Sequence, residues 1–76
     1  MSYRYSVIYQ YDLEGGVTAF VPTLPGCHTQ GETLEEAEAN VKDAIALYIE
    51  SLQAHHEPVP QEQKVFQGTV EVEFAA

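Results

Sequence analysis

The stretch Pro22–Ala37, PTLPGCHTQGETLEEA, constrains this chain more than any other. Pro22 and Pro25 each lack a backbone donor and hold φ fixed, so no central strand can run through them. Gly26 and Gly31 permit positive φ, which predicts two sharp changes of direction. Thr33 and Glu36 then stand at capping-box spacing. The threonine oxygen can accept from the N3 amide, and the glutamate can return to the Thr33 N–H. The stretch therefore takes the chain out of an extended region and launches a helix.

The flanks supply both. Tyr3–Tyr11 alternates, with Tyr3, Tyr5, Val7, Tyr9 and Tyr11 on one parity and Arg4, Ser6, Ile8 and Gln10 on the other, the period of a strand. Asp12–Gly16 reads as a turn, and Val17–Val21 resumes the extended pattern, which predicts an antiparallel hairpin. Cys27–Gln30 is long enough for a brief third strand. From Thr33, Leu34, Ala37, Val41, Ala44, Ile45, Tyr48 and Leu52 recur in steps of three and four, predicting an amphipathic helix to about Gln53. Pro58 and Pro60 forbid its continuation, so His55–Gln63 is a loop. Val65–Phe74 alternates again, with Phe66, Gly68, Val70, Val72 and Phe74 on one side and Gln67, Thr69, Glu71 and Glu73 on the other, and is expected to be the last strand.

The expected order is β-β-β-α-β, a two-layer α+β domain over residues 1–76 with one helix on a small, mostly antiparallel sheet. The Tyr/Val parity of the first strand, Val17, Ala19, Val21 and the Phe66–Phe74 row are expected to face the helix. Ile8 and Phe20 would then lie on the far face. That face and an open sheet edge point to a homodimer or higher oligomer.

Charge narrows the function. Twelve acidic residues against three basic ones give a formal net charge of −9. Arg4, Lys42 and Lys64 cannot form the basic stripe that binding nucleic acid requires, and anionic membranes are disfavoured for the same reason. A basic protein partner would be steered toward such a surface, though the charge also serves solubility. One cysteine forms no internal disulfide, the N-terminus lacks a signal-peptide pattern, and no window is apolar enough to span a membrane. A cytoplasmic location is expected.

Three chemistries compete for the reactive side chains. Cys27 beside His28 suggests a nucleophile, yet adjacency supplies neither a base nor an oxyanion site, and a small buried hydrophobe is the plainer role. His28, His55 and His56 lack zinc-ligand spacing, and the latter two suit a helix C-terminus. The acids lack the rigid placement that a two-metal nuclease site needs. Catalytic, cofactor and metal residues are therefore expected to be absent.

Several segments together resemble the HicB-type antitoxin family: Asp12-Leu13-Glu14-Gly15-Gly16, then Pro22-Thr23-Leu24-Pro25-Gly26-Cys27, then Gln30-Gly31-Glu32-Thr33-Leu34-Glu35-Glu36-Ala37. Asn40, Ala44 and Ile45 stand at matching places, and Glu57-Pro58-Val59-Pro60 is similar to the acidic, proline-rich segment that follows the family's helix. Val17 departs from the pattern, since relatives often carry an aromatic residue after the glycine pair. The resemblance implies a partial RNase-H-like fold without that fold's nuclease acids. It also implies stoichiometric inhibition of a small, basic HicA-type ribonuclease. The expected contact surface comprises Leu24, Pro25, Gly26, His28, Gln30, Glu32, Glu35 and Glu36. The sequence ends at Ala76 with no DNA-binding domain after Phe74, so direct operator binding is not expected. A solitary structural or ligand-binding oligomer of the same fold is the alternative.

Overall fold

A computed structural model describes residues 2–75. It contains strands β1 (Ile8–Tyr11), β2 (Val17–Phe20) and β3 (His28–Gly31), followed by helix α1 (Leu34–Ala54). The strands form one antiparallel sheet in the order β1-β2-β3. In the registers Ile8 stands opposite Phe20, and Val17 opposite both Tyr11 and Gly31. The class is α+β, as the alternation and helical periods require.

Turn chemistry sets these registers. Between β1 and β2 the Asp12 N–H donates to the Gly16 carbonyl at 3.0 Å, and Gly15 and Gly16 take φ of 100° and 92°. Two successive turns join β2 to β3. Leu24 N–H donates to Val21 O at 3.1 Å, and Cys27 N–H to Leu24 O at 2.9 Å. Pro22 and Pro25 each occupy the second turn position, which their fixed φ suits, and Gly26 follows Pro25 with φ 79°. Gly31 has a different reason. Its φ is not positive; a Cβ there would stand 2.8 Å from the Glu36 carbonyl carbon and closer still to the Ala37 amide. Glycine lets the helix start lie directly on β3.

The helix begins as the spacing predicts, with one shift. Thr33 is extended (φ −128°, ψ 166°) and its hydroxyl oxygen accepts from the Glu36 amide at 3.1 Å. The Glu36 carboxylate reaches Glu32 N–H at 3.3 Å, one residue before the expected donor. At the other end His56 N–H donates to Gln53 O, and Glu57 N–H to Leu52 O. This is a Schellman motif, with His56 at φ 57° where glycine is usual.

Val17, Ala19, Val21, Leu24, Cys27, Ala37 and Val41 form the core, and Tyr5, Val7, Tyr9, Ala44, Ile45 and Tyr48 pack around it. The expected parity holds over the middle of β1 and over β2, while Tyr3 and Tyr11 are exposed. Ile8 and Phe20 sit opposite each other on the far face, 36% and 38% exposed.

Three expectations need correction. The first strand is shorter than Tyr3–Tyr11, because β2 ends before Pro22 and leaves residues 3–7 without a ladder partner. The third is shifted by one residue, to His28–Gly31. The last strand, Val65–Phe74, does not form: residues 57–75 enter neither helix nor sheet, and Phe66, Val70, Val72 and Phe74 are 66–92% exposed. Alternation makes a segment competent for a sheet, but a strand also needs a neighbour with free backbone groups. The consequence is visible in size: the radius of gyration is 15.1 Å, against about 11 Å expected of a compact chain this long.

Candidate functional site

The residues expected to meet a partner divide between two ends of β3. Gln30, Glu32, Glu35 and Glu36 lie where β3 passes into α1, and all are exposed. The pairing of Val17 with both Tyr11 and Gly31 brings the β1–β2 turn to the same end. There a shallow cleft of about 280 Å³ is lined by Asp12, Glu32 and Glu36 together with Gly15, Gly16 and Gln30. Asp12 is the addition that the sequence reading missed. Its carboxylate accepts from the Thr18 hydroxyl at 3.2 Å, so it is partly fixed. Only sheet register, which pairs positions far apart in the chain, could reveal this neighbour.

Pro25, Gly26 and His28 stand at the opposite end. Tyr48 Oη donates to the Pro25 carbonyl at 2.8 Å, tying that loop to the second turn from the helix end. Glu36 and Tyr48 are separated by roughly 18 Å of helix rise, so the two groups are separate patches. His28 is exposed, its ring 6.2 Å from that of Phe20 on the far face. Leu24 is wholly buried and presents nothing outward; it fills the space beneath the loop. Its expected place on a contact surface is therefore corrected to a core role. Asn40 Nδ2 donates to Gln30 O at 2.7 Å and holds β3 against the helix.

The chemistry of these groups is that of a surface. Cys27 is buried, and burial pushes its thiol above the usual value, so it is protonated near neutrality and a poor nucleophile. Among the described residues no group of three or more His, Cys, Asp or Glu side chains could hold a metal ion. His55 Nδ1 lies 2.8 Å from Ser51 O at the helix end. No described helix is long and apolar enough to cross a membrane.

A second polar cluster, unforeseen from sequence, anchors the segment after the helix. Glu62 accepts from the Ser6 N–H at 2.7 Å, from the Ser6 hydroxyl, and from the Thr23 hydroxyl at 2.9 Å. Tyr5 Oη donates to the Pro60 carbonyl at 2.6 Å. The Ser6 hydroxyl is the main reason the Glu62 carboxyl sits below its ordinary range. Thr23 and the Ser6 amide add to this, against a partial desolvation that opposes it. Burial raises the Tyr5 and Tyr9 phenols, helped at Tyr5 by Tyr3 and Glu62 and at Tyr9 by Glu38.

Comparison with known proteins agrees with this picture. A family described as HicB_like antitoxin of bacterial toxin-antitoxin system matches residues 5–76. A UPF0150 protein of Synechocystis sp. is 54% identical over 63 residues, covering 83% of this chain and 80% of that protein. One from Thermoplasma acidophilum is 49% identical over 59 residues, covering 78% and 86%. One from Helicobacter pylori is 40% identical over 62 residues, covering 82% and 86%. The match begins in the first alternating segment and takes in the proline–glycine turns, the capped helix and the tail, and by it the chain belongs to the HicB-like antitoxin family of bacterial toxin–antitoxin systems.

Proposed function

We propose that this chain neutralises a small, basic HicA-type ribonuclease by binding it directly, one domain acting without turnover in the cytoplasm. The observation that carries the reading is charge: a member of an antitoxin family with net charge −9 gathers Asp12, Glu32 and Glu36 around one cleft. A cationic RNA-binding surface would be drawn to that end by long-range attraction and held there in place of its substrate's phosphates. Glu35 extends the same end, and the patch of Pro25, Gly26 and His28 adds a second contact. Two patches roughly 18 Å apart along the helix fit within one interface of ordinary size, about 800 Å² per partner. The domain reads as a partial RNase-H-like unit that acts on protein, not on operator DNA.

The test is toxin neutralisation. Co-expression with the basic product of a neighbouring reading frame should rescue growth and give a complex that co-purifies. Replacing Glu32, Glu35 and Glu36 together by lysine should abolish rescue while the helix content stays unchanged. Undiminished rescue would discard the acidic end as the contact. A second reading, a self-associating protein of the same fold without a toxin, is favoured by the exposed apolar tail. Absence of any co-purifying ribonuclease from the native host would select it.

A further inference from the structure

The sheet leaves two strand-competent segments unpaired. Residues 3–7 continue the alternation of β1 past the point where β2 turns away, and Val65–Phe74 alternates with no strand paired to it. We infer that the segment Val65–Phe74 of one copy adds as a fourth strand along the free edge of β1 and residues 3–7 of a second copy, so that two chains exchange tails reciprocally. The inference deepens the self-association considered above and stands whether or not a toxin exists.

The receiving groove is already present. A cavity of about 340 Å³ opens between the first segment and α1, with Tyr5, Val7, Val41 and Ile45 as its apolar lining. The helix packs chiefly on β3 and β2, which leaves this side of the sheet uncovered. Phe66, Val70, Val72 and Phe74 share a parity, so a tail paired to the β1 edge turns all of them toward that groove. Four phenylalanines from two tails would bury on the order of 800 Å² between them, and their groove contacts carry the total past the ~1,000 Å² of a specific interface.

Overall charge opposes self-association, but local charge favours this edge. Two chains of net charge −9 repel, and each has three cationic side chains. Two of these, Arg4 and Lys42, stand at the groove with Glu38. Arg4, at the rim of the groove, is placed to meet Glu71 and Glu73 of an incoming tail, and opposite charges across adjacent strands are favourable. The chain's own tail does not fill this groove. Its root is pinned at Pro60 and Glu62 beside Tyr5 and Ser6, and beyond it the apolar row is exposed. A reciprocal exchange satisfies both copies by one twofold operation.

Light scattering on the full chain should give twice the 8.4 kDa chain mass, and a chain ending at Lys64 should be a monomer. Because truncation could unfold the protein, Val72→Asp with Phe74→Asp serves as a second variant, expected monomeric with unchanged helix content. A charge swap then separates exchange from a tail folding back on its own chain. Arg4→Glu alone and Glu71→Lys with Glu73→Lys alone should each weaken the dimer roughly tenfold, and mixing the two should restore it. A monomeric full chain overturns the proposal. So does a dimer that survives loss of the tail, or charge variants that mixing fails to rescue.

Discussion

Val17–Val21 and Val65–Phe74 are written in the same code and meet opposite fates. Both alternate apolar and polar residues, yet Val17, Ala19 and Val21 are buried while Phe66, Val70, Val72 and Phe74 are exposed. The difference lies in what stands on either side. β2 has β1 and β3 hydrogen-bonded to its two edges and a helix over one face. The tail follows a proline-rich loop, and its only described ties lie at its root, on Tyr5, Ser6 and Thr23. Sheet competence is thus a property of a segment, whereas strand formation is a property of a pair.

Mutations should expose that contrast. Leu24→Ala removes a wholly buried side chain beneath the proline turns and should cost 2–5 kcal/mol, roughly the range for such deletions; denaturant unfolding measures it. Val70→Ala in the tail, assayed in dilute solution where chains are single, should stay within about 0.5 kcal/mol of the parent. Equal losses at the two sites would mean that the tail is packed in the single chain after all. Thr33→Ala deletes the cap on Glu36 N–H and should cost about 1 kcal/mol, seen as a lower Tm.

His56→Gly should work in the other direction. Relief of a left-handed non-glycine residue is expected to stabilise by about 0.5–1 kcal/mol, and no gain would show that the Schellman end frays. The smallest effect concerns pH. Glu62 titrates below its ordinary range, so its contribution is fully present above the unfolded carboxylate value and is lost as pH falls through the lower folded value. The protection factor of the Ser6 amide against hydrogen exchange, its rate taken relative to an unstructured amide at the same pH, should therefore fall on acidification below the ordinary carboxylate range. Glu62→Gln should abolish that dependence, loosening the root of the tail without touching the core.

Local signals were legible where the cause was local. The capped helix, the turn at Pro25–Gly26 and the far-face position of Ile8 and Phe20 all follow from residues within a few positions of one another. Gly31 shows the limit: its glycine is needed for a close approach of the helix, not for the positive φ first expected. Leu24 looked like a loop residue because its neighbours are prolines, and only packing shows it as the plug of the core. Asp12 joined Glu32 and Glu36 through strand register, and Glu62 found Ser6 and Thr23 across the fold; neither pairing leaves a short-range trace. The family itself was readable from the joined motifs, since each encodes a turn or cap that the fold needs.

Sequence alone therefore determined the helix, its start, the hairpin and the anionic character of the surface, because periodicity, caps, fixed φ and charge act over a few bonds or need no geometry at all. Tertiary structure decided which alternating segments become strands, which acids share a cleft and which loop residue is core. Those outcomes depend on distances between remote parts of the chain, and only packing sets such distances.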